Sequence, residues 1–242
     1  MTKAFTIYLA SSLHSAVSEN LDLFEDVLDA PVRMTYGPAG LLVKRLVAGD
    51  KADLFLCADA SYAERLVSEL ELPFEVTPWI RNTMGLFIRE DRAGKDALES
   101  VLSPTLRIGI SMPGTDPCGD YAMGFLRRVD AFHHRHDDPL TERAVVLVGG
   151  ENTPTVPVGE RAPRYFVDRG ECDAFIGYAH NAERILAEPG MPMLMQPLPE
   201  QFLDPVVYTA TALSRQGEAM KPLFMKGPLY DAVIASGFKP LE

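Results

Sequence analysis

Short apolar segments alternate with amphipathic segments along most of the chain, and this alternation constrains the fold more than any other feature. Phe5–Ala10 and Val206–Ala212 are apolar runs of strand length, and residues 13–28 carry apolar side chains at helical spacing. The same pattern predicts further strands at Val32–Tyr36, Ala52–Ala58, Met84–Ile88, Leu106–Ile110, Val145–Val148 and Phe175–Tyr178. Buried strands that alternate with helices are typical of βαβ units and of largely parallel sheets. The sequence therefore predicts an α/β fold.

Four predicted strand-to-helix junctions contain small or turn-forming residues. In such sheets, ligands bind at the carboxyl ends of strands, where helix N-termini present N–H groups and partial positive charge. Ser12 stands where the N-cap of the helix over 13–28 belongs. Ordinary helix caps have the same composition, so this pattern indicates a ligand-binding protein but no particular ligand. The junctions are Ser11-Ser12, Gly37-Pro38-Ala39-Gly40, Pro117-Cys118-Gly119-Asp120 and Val158-Gly159-Glu160.

The charge balance excludes two classes of partner. Among 242 residues, 23 are basic and 34 acidic, a formal net charge of -11. Surfaces that bind nucleic acid or anionic membranes need basic patches, so neither partner is expected. A small anion remains compatible, because backbone N–H groups and hydroxyls can hold it without formal positive charge. No apolar stretch has the length of a transmembrane helix or of a signal-peptide core.

Neither a metal site nor a catalytic set is predicted. Cys57, Cys118 and Cys172 are far apart and lack metal-ligand spacing, so we expect no metal ligands and no cofactor. Cys118 at a helix start could act as a nucleophile, but the sequence places no histidine base beside it. Asp116 and Asp120 flank the same junction, where carboxylates more often cap a helix than perform acid–base chemistry.

Several runs of residues resemble the substrate-binding proteins of molybdate ABC transporters, in the same order and at the same separations. The resemblance extends over nearly the whole chain, and Phe175–Tyr178 and Ser236-Gly237-Phe238 also fit it. The runs are Leu9-Ala10-Ser11-Ser12-Leu13, Tyr36-Gly37-Pro38-Ala39-Gly40-Leu41, Ala52–Asp59 and Asp116–Ala122.

This resemblance implies a type II periplasmic-binding-protein fold. Such a fold has two α/β lobes, each a mixed, mostly parallel sheet flanked by helices, joined by two crossover strands. Residues 1–82 together with 204–242 would form one lobe and residues 83–203 the other. The ligand cleft would lie between them.

The resemblance also implies a set of anion donors. Ser12 would donate its hydroxyl and N–H, Tyr178 its phenol, and Ala39, Cys118 and Glu160 their backbone N–H groups. Ser11, Gly40, Gly119 and Gly159 would line the same ligand-binding site. This chain departs from the family pattern at one position, because molybdate binders usually have serine where it has Ala39.

The function implied is that of a receptor that captures molybdate or tungstate for an ABC importer. It would act as a periplasmic monomer beside a membrane permease, from a precursor whose leader is absent here, or in the cytoplasm if this chain is the native full length. Three alternatives stay open: a receptor for another small anion such as an organic carboxylate, a ligand-sensing domain, and an enzyme using Cys118.

Overall fold

The computed structural model describes residues 3–157 and 159–241. Val158, part of the fourth predicted junction, lies outside these ranges. The strands are β1 (Phe5–Ala10), β2 (Val32–Gly37), β3 (Leu54–Cys57), β4 (Val76–Asn82), β5 (Met84–Arg89), β6 (Ile108–Ser111), β7 (Val145–Val148), β8 (Ala174–Tyr178), β9 (Met193–Pro197), β10 (Val206–Ala212) and β11 (Lys239–Pro240).

Helices alternate with these strands along the chain. The α-helices are α1 (His14–Ser18), α2 (Leu21–Leu28), α3 (Ala39–Val47), α4 (Ala60–Glu69), α5 (Ala97–Leu102), α6 (Pro117–Phe132), α7 (Leu140–Arg143), α8 (Ala162–Asp168), α9 (Ala182–Ala187), α10 (Arg215–Met225) and α11 (Pro228–Ala235). Within the described ranges, no helix combines the length and apolar character needed to cross a membrane.

The chain divides into two compact units. Unit 1 comprises the residues up to Asn82 and those from Val206 onward, and unit 2 is Thr83–Pro205. Unit 1 contains a six-stranded sheet in the order β11-β4-β10-β3-β1-β2. In this sheet β1 is parallel to β2 and β3, whereas β10 runs antiparallel between β3 and β4 and β11 is antiparallel to β4.

Unit 2 contains a five-stranded sheet in the order β7-β6-β8-β5-β9. Strand β6 is parallel to its neighbours β7 and β8, and β5 is antiparallel to β8 and β9. The predicted α/β class with mixed sheets flanked by helices is therefore confirmed. Parallel pairing covers only part of each sheet, because β5 and β10 enter in the opposite direction.

Some elements carry too little sequence signal to be predicted. The apolar pattern of the sequence predicts no strand at β4 or β9 and no helix at α5. Strand β4 includes Pro78, which lacks an N–H donor and is normally confined to edges or bulges. The structure accommodates it with a register shift in the β4–β10 pairing, where Tyr208 lies opposite Ile80 and Thr209 opposite Pro78.

The single helix predicted over residues 13–28 is wrong. The chain forms a 3₁₀ turn at Ser11–Leu13, and then α1 and α2 as separate helices. Asn20 interrupts them by donating its side-chain amide to the Ala16 carbonyl at 2.8 Å. The predicted N-cap role of Ser12 is also wrong, because Ser12 lies inside the turn and Ala10 precedes it without a side-chain cap.

A buried carboxylate connects three segments of unit 1. Asp53 is 4% exposed and accepts the Thr6 N–H at 3.0 Å and the Ser214 hydroxyl at 2.7 Å. Ser214 in turn caps α10 by accepting the Gly217 N–H at 3.0 Å. Helix α10 therefore lies so close to the Asp53 main chain that a Cβ atom at Gly217 would be 1.7 Å from the Asp53 carbonyl oxygen.

We expect Gly217→Ala to lower the free energy of unfolding by on the order of 3 kcal/mol, because the new methyl group overlaps main-chain atoms that cannot move aside. Chemical denaturation of purified protein measures the effect. Gln216→Ala, on the same helix, is the matched control and should change stability by less than about 0.5 kcal/mol. Equal stability of the two variants would contradict this account of Gly217.

Candidate functional site

Two parallel strands of unit 1 end side by side. Ala10 lies opposite Gly37 in the β1–β2 register, so the segments after both strands start at the same edge of the sheet. These segments are the turn at Ser11–Leu13 and the start of α3. The structure therefore brings together the unit 1 residues that were predicted to bind a ligand: Ser11, Ser12, Ala39 and Gly40.

The start of α3 presents N–H groups without protein acceptors. Pro38 precedes the helix and provides no side-chain cap, and its carbonyl accepts the N–H groups of Leu41 and Leu42, both at 3.1 Å. Within the described part of the chain, the N–H groups of Ala39 and Gly40 have no such acceptor. Both residues are buried, so these amides are donors at a helix N-terminus that a bound anion can use.

The packing of Ala39 gives a reason for alanine at the position where molybdate binders usually have serine. Its side chain is 1% exposed and belongs to an apolar cluster that includes Tyr8, Leu42 and Phe55. The methyl group therefore contributes to the core of unit 1, and the polar contribution of this residue comes from its backbone.

The Ser12 hydroxyl is held by two residues that were not predicted to belong to the site. Its oxygen lies 2.8 Å from the Tyr208 hydroxyl oxygen, and the Asn82 side-chain amide donates to that Tyr208 oxygen at 3.4 Å. Tyr208 is fully buried and Asn82 is 6% exposed.

Three parallel strands of unit 2 end at one sheet edge. Strand β6 lies between β7 and β8, so Ser111, Val148 and Tyr178 occupy neighbouring strand ends. Helix α6 begins close to this edge, and the Cys118 thiol contacts the Ile176 carbonyl oxygen at 3.9 Å. Among the predicted residues of unit 2, Cys118, Gly119 and Tyr178 thus lie near one another.

The first amides of α6 already have acceptors. The Asp116 side chain caps the helix by accepting the Cys118 N–H at 3.0 Å, and the Asp116 carbonyl accepts the Gly119 N–H at 2.9 Å. An anion at this position has to take the place of the Asp116 carboxylate on the Cys118 amide.

Gly119 is required by packing. A Cβ atom at this position would lie 2.4 Å from the Ser111 carbonyl oxygen and 2.7 Å from the Met112 carbonyl carbon. The first turn of α6 therefore approaches the main chain after β6 so closely that only glycine fits.

The fourth predicted junction differs from the prediction. Helix α8 begins at Ala162, so Gly159 and Glu160 precede it instead of forming its first turn. Both are exposed, and the Glu160 N–H donates to the Pro157 carbonyl at 3.1 Å. The prediction that the Glu160 amide lies at a helix start is wrong, because the chain turns once more before α8.

Two titratable groups at the start of α6 have shifted pKa values. Burial raises the pKa of the Asp116 carboxyl to about 6, against the stabilising effect of hydrogen bonds from the Cys118 amide and the Ser111 hydroxyl, and the nearby Asp120 charge raises it further. Burial and the Asp116 charge hold the pKa of the Cys118 thiol well above its usual value. Cys118 is therefore a protonated thiol and a poor nucleophile.

No cation site emerges from this arrangement. Among the residues that the structure describes, no three His, Cys, Asp or Glu side chains are grouped as metal ligands. The three cysteines are buried and have no disulfide partner.

The raised pKa of Asp116 makes stability depend on pH in an unusual direction. In the folded protein the Asp116 carboxyl holds its proton up to about pH 6, whereas an ordinary aspartate loses it near pH 3.8. This group therefore stabilises the fold at low pH, and its contribution is lost as the pH rises through about 6. Asp116→Asn keeps the cap, because asparagine caps helices as well as aspartate. We expect the wild type to lose stability relative to this variant between pH 4.5 and 7.5, measured by chemical denaturation. A constant difference would contradict the raised pKa.

Comparison with known proteins agrees with this architecture. The chain is 29% identical over 188 residues to an uncharacterized protein of Pasteurella multocida (strain Pm70), covering 76% of this chain and 77% of that one. The periplasmic molybdate-binding protein of Azotobacter vinelandii superposes with a TM-score of 0.70 at 19% identity, covering 98% of this chain and 100% of that chain. The sulfate-binding protein SubI of Mycobacterium tuberculosis H37Rv superposes with a TM-score of 0.77 at 15% identity, covering 100% and 88%.

The family follows from the sequence itself. Residues 5–223 match the family described as bacterial extracellular solute-binding protein, which covers most of both units. The structural neighbours named above are binding proteins as well, and Cys118 has the properties of a buried structural thiol. This chain therefore belongs to the bacterial extracellular solute-binding proteins, a family of binding proteins and not of enzymes.

Proposed function

We propose that this protein is the receptor of an ABC importer for a small tetrahedral oxyanion, with molybdate and tungstate as the first candidates. The observation that carries the proposal is the pair of N–H groups at Ala39 and Gly40, which have no acceptor among the residues that the structure describes. They follow β2 at the sheet edge where the Ser12 turn follows β1. Donors of this kind replace the hydration shell of an anion without a basic side chain. The solved structures that resemble this chain include molybdate- and sulfate-binding proteins, both of which hold tetrahedral oxyanions.

Donor chemistry supports a fully deprotonated ligand. Backbone N–H groups donate hydrogen bonds, and so does a hydroxyl whose hydrogen points to the ligand. Such donors suit an anion whose oxygens are all hydrogen-bond acceptors. A protonated phosphate carries a hydrogen that needs an acceptor, and the backbone N–H groups of Ala39 and Gly40 provide none. Molybdate, tungstate and sulfate satisfy this condition at neutral pH, so we expect anion size to decide among them.

Donors from unit 2 complete the site in this proposal. Tyr178 contributes its phenol and Cys118 its amide, and such dipoles act strongly on an anion that is removed from water. Gly159 and Glu160 approach the anion only if the turn before α8 rearranges. The Asp116 carboxylate has to leave the Cys118 amide or be protonated when the anion binds there.

A small organic anion is the second candidate, and Asp116 is the observation that favours it. Its carboxylate already accepts the Cys118 N–H at 3.0 Å and repels a second negative charge at that position. A singly charged organic carboxylate with a hydroxyl group tolerates this carboxylate better, because the hydroxyl can donate to it.

The cellular setting follows from the family. A receptor of this kind works outside the cytoplasm and delivers its ligand to a membrane permease, so we propose a periplasmic location and a permease partner. We propose that the receptor acts as a monomer, with no nucleic-acid partner and no cofactor.

Isothermal titration calorimetry of ligand-stripped protein with molybdate, tungstate, sulfate and phosphate tests this function. We expect micromolar or tighter binding of molybdate or tungstate. Ser12→Ala and Tyr178→Phe should each weaken that binding by about 1–2 kcal/mol, because each removes one hydrogen bond to the anion. Ser15→Ala, in the helix that follows the Ser12 turn, is the matched control and should leave the affinity unchanged.

The outcomes distinguish an error in the proposed ligand from an error in the assigned residues. If none of the four anions binds, the oxyanion proposal is wrong and small organic anions become the ligands to screen. If molybdate binds but neither Ser12→Ala nor Tyr178→Phe changes its affinity, the anion is bound and the residue assignment is wrong.

A further inference from the structure

The first turn of α6 has one amide that a ligand can use, and the Asp116 side chain already accepts it. Pro117 has no N–H. The N–H groups of Gly119 and Asp120 donate to the Asp116 carbonyl at 2.9 and 3.2 Å. The Cys118 N–H remains, and it donates to the Oδ1 atom of the Asp116 carboxylate at 3.0 Å. An anion that binds at this helix start therefore meets the Asp116 carboxylate at the same amide.

The ends of two neighbouring strands surround the Asp116 carboxylate. The Ser111 hydroxyl, at the end of β6, stabilises its charged form. Gly149 directly follows β7 and leaves room for the carboxylate, because a Cβ atom there would lie 3.0 Å from the Asp116 Oδ2 atom. Asp116 as a whole is only partly buried, so a ligand can reach it. The carboxylate thus lies at the sheet edge where the unit 2 part of the proposed site is located.

The protonation state of Asp116 decides whether this side chain opposes or assists the binding of an anion. As a carboxylate it can only accept hydrogen bonds, so it competes for the Cys118 N–H, and its charge repels a second negative charge. As a carboxylic acid it has no charge and one O–H group, which can donate to an anion oxygen. A carboxyl group in a site of low polarity can be kept neutral so that it donates in this way.

The groups around Asp116 favour its neutral form. Burial raises the pKa of the Asp116 carboxyl to about 6, and the charge of Asp120, one turn further along α6, raises it as well. The Cys118 thiol is protonated and neutral. The groups that face the carboxyl from β6 and from the segment after β7 are the Ser111 hydroxyl and Gly149, which carry no charge. A second anion beside Asp116 therefore adds to a repulsion that the Asp120 carboxylate already exerts.

We propose that Asp116 binds the anion as a neutral carboxylic acid and that each bound anion is accompanied by the uptake of one proton. This inference rests on the proposed function, since it assigns a role to one residue at the proposed site. The proton comes from the solvent and resides on the Asp116 carboxyl, and no covalent bond to the ligand forms. The protein thereby gains a hydrogen-bond donor at the start of α6 and removes the charge that would repel a dianion.

Titration calorimetry with molybdate, and with tungstate in parallel, at pH 6 and pH 8 tests this coupling, because both anions keep their charge over this range. The affinity of the wild type should fall about fiftyfold, since the neutral fraction of a carboxyl with a pKa of about 6 falls from about one half to about one hundredth. Asp116→Asn should bind the anion equally at both pH values, because its amide is uncharged and donates in place of the O–H.

Asp96→Asn is the matched control for this variant. Asp96 caps α5 in the same unit by accepting the Glu99 N–H at 2.8 Å, so the substitution makes the same chemical change at another helix start. We expect this control to keep the pH dependence of the wild type.

The number of protons can be counted with the wild type alone, even if a variant fails to fold. The heat of binding at pH 7.5 is measured in HEPES and in Tris, two buffers that differ in ionisation enthalpy. The difference between the two heats gives the protons taken up, and we expect about one for each anion bound. The same measurement on Asp116→Asn should give none.

The outcomes distinguish this inference from the proposed function. Equal affinity of the wild type at pH 6 and pH 8, or binding without proton uptake, overturns the role of Asp116 and leaves the oxyanion receptor standing. A wild-type pH dependence in Asp116→Asn overturns that role too. If neither molybdate nor tungstate binds at either pH, the proposed function is wrong, and this inference is wrong with it.

Discussion

The arrangement of the candidate site depends on the parallel pairing of strands whose carboxyl ends share one sheet edge. In unit 1 the pairing of β1 with β2 places Ala10 opposite Gly37, and the turn at Ser11–Leu13 and the start of α3 follow from there. In unit 2 the pairing of β6 with β7 and β8 does the same for α6 and Tyr178. Because every parallel strand ends at this edge, residues far apart in sequence contribute donors to the same region of each unit.

The antiparallel strand β10 brings residues to the Ser12 turn that the parallel strands do not. Strand β10 enters unit 1 from the carboxyl edge, so its first residues reach the Ser12 turn while its later residues pack beside β3. The same strand leads into Ser214, which joins Asp53 and α10. One strand thus connects Tyr208, which contacts the Ser12 hydroxyl, to the buried network of Asp53 and Ser214 at the start of α10.

The two units differ in how the N-termini of α3 and α6 are capped. The start of α3 has Pro38 as its N-cap and no side-chain cap, whereas the start of α6 is capped by the Asp116 side chain. A carboxylate cap satisfies the Cys118 amide in the absence of ligand and places a negative charge where an oxyanion would bind. Under the proposed function, protonation of Asp116, with its pKa of about 6, would be coupled to anion binding at this end of unit 2.

The sequence alone determined the α/β class, the bounds of strands such as β7 and β10, and the positions of the second and third junctions, because burial periodicity and turn residues are local properties. It also indicated the family, through runs such as the one around Ser12. It could not reveal β4, whose Pro78 masks the strand pattern, or the break at Asn20. Only the tertiary structure decided that Asp116 takes the Cys118 amide and that Tyr208 and Asn82 support Ser12. Those contacts join residues up to 196 positions apart, and strand order and direction, which create them, are not encoded in any local pattern.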